Sequence, residues 1–116
     1  MELQSISALT LAVSDMARSV EFYTATGFQL LYGGPDADFS SFRAGQGYLN
    51  LTLRKDYEAH WWGRAIFYVA DVDEAYRHVV SAGLKPDTVP ADAPWGERYF
   101  HLTDPDGHEL SFAKHL

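Results

Sequence analysis

Hydrophobic positions along the chain fall into two rhythms, and both recur in the same order in each half. Leu9, Leu11 and Val13 alternate with Ala8, Thr10 and Ala12, while Ala65, Phe67 and Val69 alternate with Arg64, Ile66 and Tyr68. A period of two predicts a strand with one apolar face at each place. Each strand leads into a helical period. Met16, Val20 and Tyr23 follow Asp15, and Val72, Ala75, Val79 and Ala82 follow Asp71. The aspartates are placed to cap the helices, and Gly27 and Gly83 to end them in left-handed turns. The distance from capping aspartate to glycine is 12 residues in both copies, and the second copy lies 56 residues after the first.

After each helix the pattern predicts a short strand, at Gln29 to Tyr32 and at about Lys85 to Val89, followed by a loop and a hairpin. The loops run to Asp38 in the first copy and from Pro90 to Gly96 in the second. The first hairpin spans Phe39 to Leu53 around Ala44-Gly45-Gln46-Gly47, and the second Arg98 to Ala113 around Asp104-Pro105-Asp106-Gly107. A three-residue turn at Pro105-Asp106-Gly107 pairs Leu102 with Leu110 and Phe100 with Phe112. A two-residue turn would instead pair Leu102 with Glu109 and bury a carboxylate, so the first register is expected. In the first hairpin Leu49, Leu51 and Leu53 mark the helix-facing side, which Phe39 and Phe42 cannot both join. The fold class expected is α+β, built from two tandem βαβββ modules.

At 116 residues, 47% hydrophobic, the chain suits one compact domain: module one at about 5–54, a linker at about 55–63 and module two at about 64–116. A formal charge of -7 disfavours a nucleic-acid partner and tilts toward cationic ligands. No apolar run is long enough for a bilayer, so no membrane partner is expected. The start Met1-Glu2-Leu3-Gln4 lacks a basic and apolar leader, and the absence of cysteine fits a reducing cytoplasm. Any metal would need His, Asp or Glu ligands.

Removing the helix-facing positions leaves a sheet face that carries Ala8, Thr10, Tyr48, Asn50, Thr52, Arg64, Ile66, Tyr68, Tyr99, His101, Glu109 and Ser111. Aromatics, hydroxyls and a few charges on one face suit the lining of a small-molecule pocket. The alternatives are a solvated face or one buried on a partner. Trp61 and Trp62 in the linker and Trp95 in the second loop are candidates for the rim, with core filling as the alternative for one of the linker pair. His60, His78, His108 and His115 lack ligand spacing and are expected to be solvated. Ser111 opposite His101 lacks the elbow and the third residue of a nucleophilic triad.

The paired modules, the V-x-D helix starts Val13-Ser14-Asp15 and Val69-Ala70-Asp71, and the late D-P-D-G hairpin resemble the vicinal oxygen chelate superfamily over about Ile6 to Ala113. That superfamily includes glyoxalase I, extradiol dioxygenases, fosfomycin-resistance enzymes and bleomycin-resistance proteins. The resemblance implies a curved, eight-stranded mixed-sheet cup with helices on its convex side, often completed by dimerisation. It also implies four metal-ligand positions, which fall here on Ala8, Asn50, Arg64 and Ser111. None is a usual ligand for a dication, so no metal or other cofactor and no catalytic residue is expected. The branch it points to is the bleomycin-resistance one: a cytoplasmic homodimer that sequesters an aromatic or cationic compound, as in antibiotic resistance. Ligand-binding residues would be Tyr48, Asn50, Arg64, Tyr68, Trp61, Trp95, Tyr99, His101, Glu109 and Ser111. Two alternatives stand beside it. One is a divergent glyoxalase-like lyase or isomerase, or a dioxygenase, with its metal relocated to His101 and Glu109 or with those two as acid and base. The other is a partner protein whose cup is filled by protein.

Overall fold

The computed structural model describes residues 1–116, which divide into two compact units, Met1–Glu58 and Ala59–Leu116. The first contains β1 (Ala8–Val13), α1 (Met16–Thr26), β2 (Gln29–Tyr32), β3 (Phe39–Ala44) and β4 (Gly47–Leu53). The second contains β5 (Arg64–Tyr68), α2 (Val72–Ser81), β6 (Ala91–Ala93), β7 (Glu97–Thr103) and β8 (Glu109–His115). Each unit is thus a βαβββ module. The strands form two four-stranded mixed sheets, ordered β1-β4-β3-β2 and β5-β8-β7-β6, in which the opening strand runs parallel to the last.

Both helices are bounded by the same chemistry. The carboxylates of Asp15 and Asp71 accept the backbone N–H groups of Arg18 at 3.1 Å and Glu74 at 3.0 Å, relieving donors that have no partner within the helix. At the other end Gly27 and Gly83 take φ of 108° and 88°, and the next residue reaches back, Phe28 N–H to Tyr23 O at 3.1 Å and Leu84 N–H to Val79 O at 3.0 Å. These are matched Schellman turns, which glycine adopts without the Cβ penalty. The packed faces differ in extent. α1 buries Met16, Ser19, Val20, Phe22 and Tyr23, while α2 buries only Val72 and Val79. Arg98 compensates by tying the first turn of α2 to β7, with guanidinium contacts to Asp73 at 2.9 Å and to Asp92 on β6 at 2.9 Å. Hydrogen bonding from Arg98 holds the Asp73 carboxyl below its ordinary range.

The register of the second hairpin is the one that keeps Glu109 out of the core. Leu102 faces Leu110 and Phe100 faces Phe112, with all four buried. Gly107 has φ 87°, and the Asp104 carboxylate accepts the N–H groups of Asp106 at 2.9 Å and His108 at 2.8 Å, fixing the turn. In the first hairpin Ala44 faces Gly47 across a two-residue turn with positive φ at Gly45 alone, as in type II′. Phe42 faces Leu49 and is fully buried, whereas Phe39 faces Thr52 and is exposed, which resolves which phenylalanine joins the core.

Two expectations need correction. Residues 85–89 are not a strand; the edge strand of the second sheet is β6, inside the segment expected to be loop. Pro86 and Pro90 have no N–H to give to a ladder. Beside β7 this stretch makes two backbone-amide bonds, Asp87 N–H to His101 O and His101 N–H to Thr88 Oγ1, both at 2.9 Å, and accepts the Thr103 hydroxyl on the Asp87 carboxylate at 2.6 Å. The second correction is His108, which is 3% exposed rather than solvated. Its Nδ1 accepts the indole N–H of Trp62 at 2.7 Å, so the residues before β5 are pinned to the Asp104–His108 turn.

Candidate ligand-binding faces

Strand parity places the anticipated residues on the sheet faces opposite the helices, and each module has its own pattern. In module one, Asn50 of β4 sits between Thr10 of β1 and Ser41 of β3. Ser41 Oγ donates to Asn50 Oδ1 at 2.7 Å, and Asn50 Nδ2 donates to Thr10 Oγ1 at 3.3 Å. The amide is therefore occupied on both sides. One row along, the Arg43 guanidinium lies 4.7 Å from the centre of the Tyr48 ring.

Module two carries Arg64, Tyr68, Trp95, Tyr99, His101, Glu109 and Ser111. Arg64 and Glu109 face each other across β5 and β8 and form an ion pair at 2.6 Å, with both side chains about one-third exposed. In the next row Ser111 is buried and donates to Phe100 O at 3.4 Å, while His101 beside it keeps its Nδ1 buried with no hydrogen-bond partner. Burial lowers the His101 pKa, and the positive charge of Arg64 lowers it further against the opposing pull of Glu109 and Asp87.

Farther along β7 an aromatic strip appears. Trp95 stacks on Tyr99 with centroids 5.9 Å apart, and Tyr99 meets the His101 ring at 4.9 Å. Glu97 lies within the strip and accepts hydrogen bonds from the Tyr68 hydroxyl and from Trp95 Nε1, the latter at 2.8 Å. Those bonds, Tyr68's first, hold the Glu97 carboxyl below its ordinary range and push the Tyr68 phenol up. The sequence pattern starts the hairpin at Arg98 and so omits Glu97, the first residue of β7. Carrying the alternation of His101 and Tyr99 one step back would have found it. The structure does not bring Trp61 into this strip: it is 76% exposed with no hydrogen-bond or ring partner, whereas Trp62 turns inward to His108. A separate open cleft of about 350 Å³ in module one, bordered by Asp15, Pro35, Asp36 and Lys55, contains none of the anticipated residues, and Asp15 is committed to capping α1.

Residues 5–112 match the family model described as the Glyoxalase/Bleomycin resistance protein/Dioxygenase superfamily. The chain belongs to this superfamily. Among solved structures, the superfamily fold recurs in TioX from Micromonospora sp. ML1, at 28% identity and TM-score 0.79, covering 97% of this chain and 100% of that one. A bleomycin resistance determinant encoded on the transposon Tn5 matches at 22% identity and TM-score 0.81, covering 97% and 98%. A lactoylglutathione lyase from Agrobacterium tumefaciens matches at 20% identity and TM-score 0.79, covering 97% and 95%. Comparison with curated proteins gave no match.

A superfamily metal would fall on Ala8, Asn50, Arg64 and Ser111, and these residues do not fit a dication. Ala8 offers no donor atom, Asn50 is engaged by Ser41 and Thr10, and Arg64 brings a cation bound to its own carboxylate. Nor does a relocated set form around His101 and Glu109. They lie in different rows, Arg64 holds Glu109, and no three His, Asp or Glu side chains are grouped to hold an ion. No helix is long and apolar enough to cross a membrane.

Proposed function

We propose that the chain is a metal-independent small-molecule-binding protein that sequesters a planar aromatic cation on the sheet face of module two. The observation that carries the reading is Glu97, a carboxylate kept ionised by Tyr68 and Trp95 inside an aromatic strip. Trp95 is 67% exposed and Tyr68 55% exposed, so ring surface is available for stacking. A cation stacked there gains ring-quadrupole and carboxylate attraction together, which a neutral aromatic does not. The chain's acidity and the fold shared with a bleomycin resistance determinant support the same direction.

The proposal extends to a single cooperative domain and a homodimer working in the cytoplasm. The homodimer is what the resemblance to the bleomycin-resistance branch implies, and β5, at the edge of its sheet, leaves a strand edge for a second copy. Titration calorimetry with proflavine, a planar cationic acridine, tests the ligand class. Saturable heat that is lost in Trp95→Ala and weakened in Glu97→Gln is expected; a silent wild type sinks the reading. Elemental analysis finding one tightly held metal ion per chain would overturn metal independence, and light scattering that gives a monomer at micromolar concentration would remove the dimer.

A further inference from the structure

His101 reveals a second polar requirement on the same face. Its Nδ1 is shut away from water with no acceptor in reach, so a proton there would be an unpaired buried donor. The proton of the neutral ring therefore belongs on Nε2, the nitrogen left open to the face. Arg64, one row away, contributes more donors. Its only side-chain bond runs from Nη2 to Glu109, which leaves Nε and Nη1 without a partner. Two side chains thus present N–H groups to one patch, with apolar Ile66 between them and the buried Ser111 hydroxyl donating to the backbone rather than to the patch. The positive charge of Arg64 acts on the His101 ring, opposed by Glu109 and Asp87.

We propose that Arg64 and neutral His101 form a carboxylate-binding subsite, so that the ligand of module two carries an acidic group at one end. This rests on the reading of that face as a ligand site and deepens it. Arg64 and Tyr68 are four residues apart on β5, as are His101 and Glu97 on β7, a separation of about 13 Å along an extended strand. The ligand class is then a bipolar aromatic: a carboxylate at Arg64 and His101, a flat ring over Tyr99 and Trp95, and a cationic end toward Glu97. Arg64 suits the acidic end because its planar fork can engage both carboxylate oxygens, and charge-assisted bonds are about twice as strong as neutral ones.

The test uses small probes that do not need the cationic end. The isotope-labelled protein is titrated with benzoate and, separately, with benzamide, following the His101 imidazole and Arg64 Nε resonances. Benzoate should shift both saturably and bind about tenfold tighter than benzamide. Arg64→Gln should abolish that preference. Glu109→Gln, which frees the guanidinium from its internal partner, should strengthen benzoate binding about threefold. His101 should report Nε2 as its protonated nitrogen. Equal response to the two probes, or a benzoate preference that survives Arg64→Gln, overturns the subsite. Benzoate binding with no heat from proflavine would remove the cation reading alone, and proflavine binding without benzoate preference would remove this one alone.

Discussion

The two modules share a backbone plan and use it in opposite ways. In the middle row of module one, Thr10, Asn50 and Ser41 satisfy one another through two hydrogen bonds. The corresponding trio in module two is Ile66, Ser111 and His101, where the hydroxyl turns to the backbone and the imidazole keeps an unpaired nitrogen. In the row beside it, Arg43 rests on the Tyr48 ring, whereas Arg64 holds Glu109. In the third row, Ala12, Thr52 and Phe39 correspond to Tyr68, Ala113 and Tyr99. Module one closes its polar groups among themselves. Module two leaves donors, a carboxylate and ring faces available. The repeat therefore preserves the scaffold while the opposite face is free to specialise, because the helix-facing residues carry most of the packing.

The comparison can be broken first at the shared scaffold. Phe42→Ala in module one and Leu102→Ala at the matching core position should each cost about 3–5 kcal/mol in denaturant unfolding, since both side chains are fully buried. Next come the connections that differ. A Cβ on Gly33 would lie 2.3 Å from Phe39 O and 2.6 Å from Ser40 Oγ at φ +80°, while one on Gly96, at φ +91°, meets nothing within 4 Å. Gly33→Ala should destabilise by on the order of 3 kcal/mol, and Gly96→Ala by about 1–2 kcal/mol from the backbone alone. Midpoints measured under identical conditions check the ranking. Smaller still is the middle row. Asn50→Ala removes two hydrogen bonds and should cost about 1–2 kcal/mol, against about 0.5–1 kcal/mol for Ser111→Ala, whose single bond is long. Equal losses would undo the contrast between a closed and an open face.

The smallest effect is titration. The fold keeps His101 neutral below its ordinary pKa, through burial and then Arg64 from β5, opposed by Glu109 from β8 and Asp87 from the segment before β6. The unfolded chain takes up this proton near pH 6.5, the folded chain at lower pH. The folded state therefore holds fewer protons in that window, and its stability should fall as pH drops through it. His101→Phe should flatten that slope. An unchanged pH profile in the variant would show that the imidazole is not held as described.

The sequence made most of the scaffold legible, because its rules are local. Asp15 and Asp71 sit one residue before apolar helical spacing, Gly27 and Gly83 stand where each helix end needs positive φ, and parity around Pro105-Asp106-Gly107 admits one register without a buried charge. The edge strand of the second sheet is displaced from Lys85 to Val89 because the parallel with Gln29 to Tyr32 of the first copy fails there: Pro86 and Pro90 lack the donors a ladder needs. Ala91–Ala93, short and small, offers little pattern. The burial of His108 depends on Trp62, 46 positions earlier, a pairing no local rule reaches. For the site, parity placed the residues on their faces but could not decide their partners. That Asn50 is locked, Arg64 is bound to Glu109 and His101 is left with an orphan nitrogen emerges only once the strands are paired.

The placement of the indoles has an optical consequence. All three tryptophans of the chain, Trp61, Trp62 and Trp95, lie in residues 59–116. Excited at the red edge of protein absorption, the molecule reports on one of its two modules only. Trp62, hydrogen-bonded to an imidazole, and Trp95, hydrogen-bonded to a carboxylate, should differ in emission colour from the exposed Trp61. Module one remains dark in such a spectrum, so a ligand or a melting event confined there passes unseen unless a new tryptophan is installed, for instance at Phe39, which is exposed in the row equivalent to Tyr99.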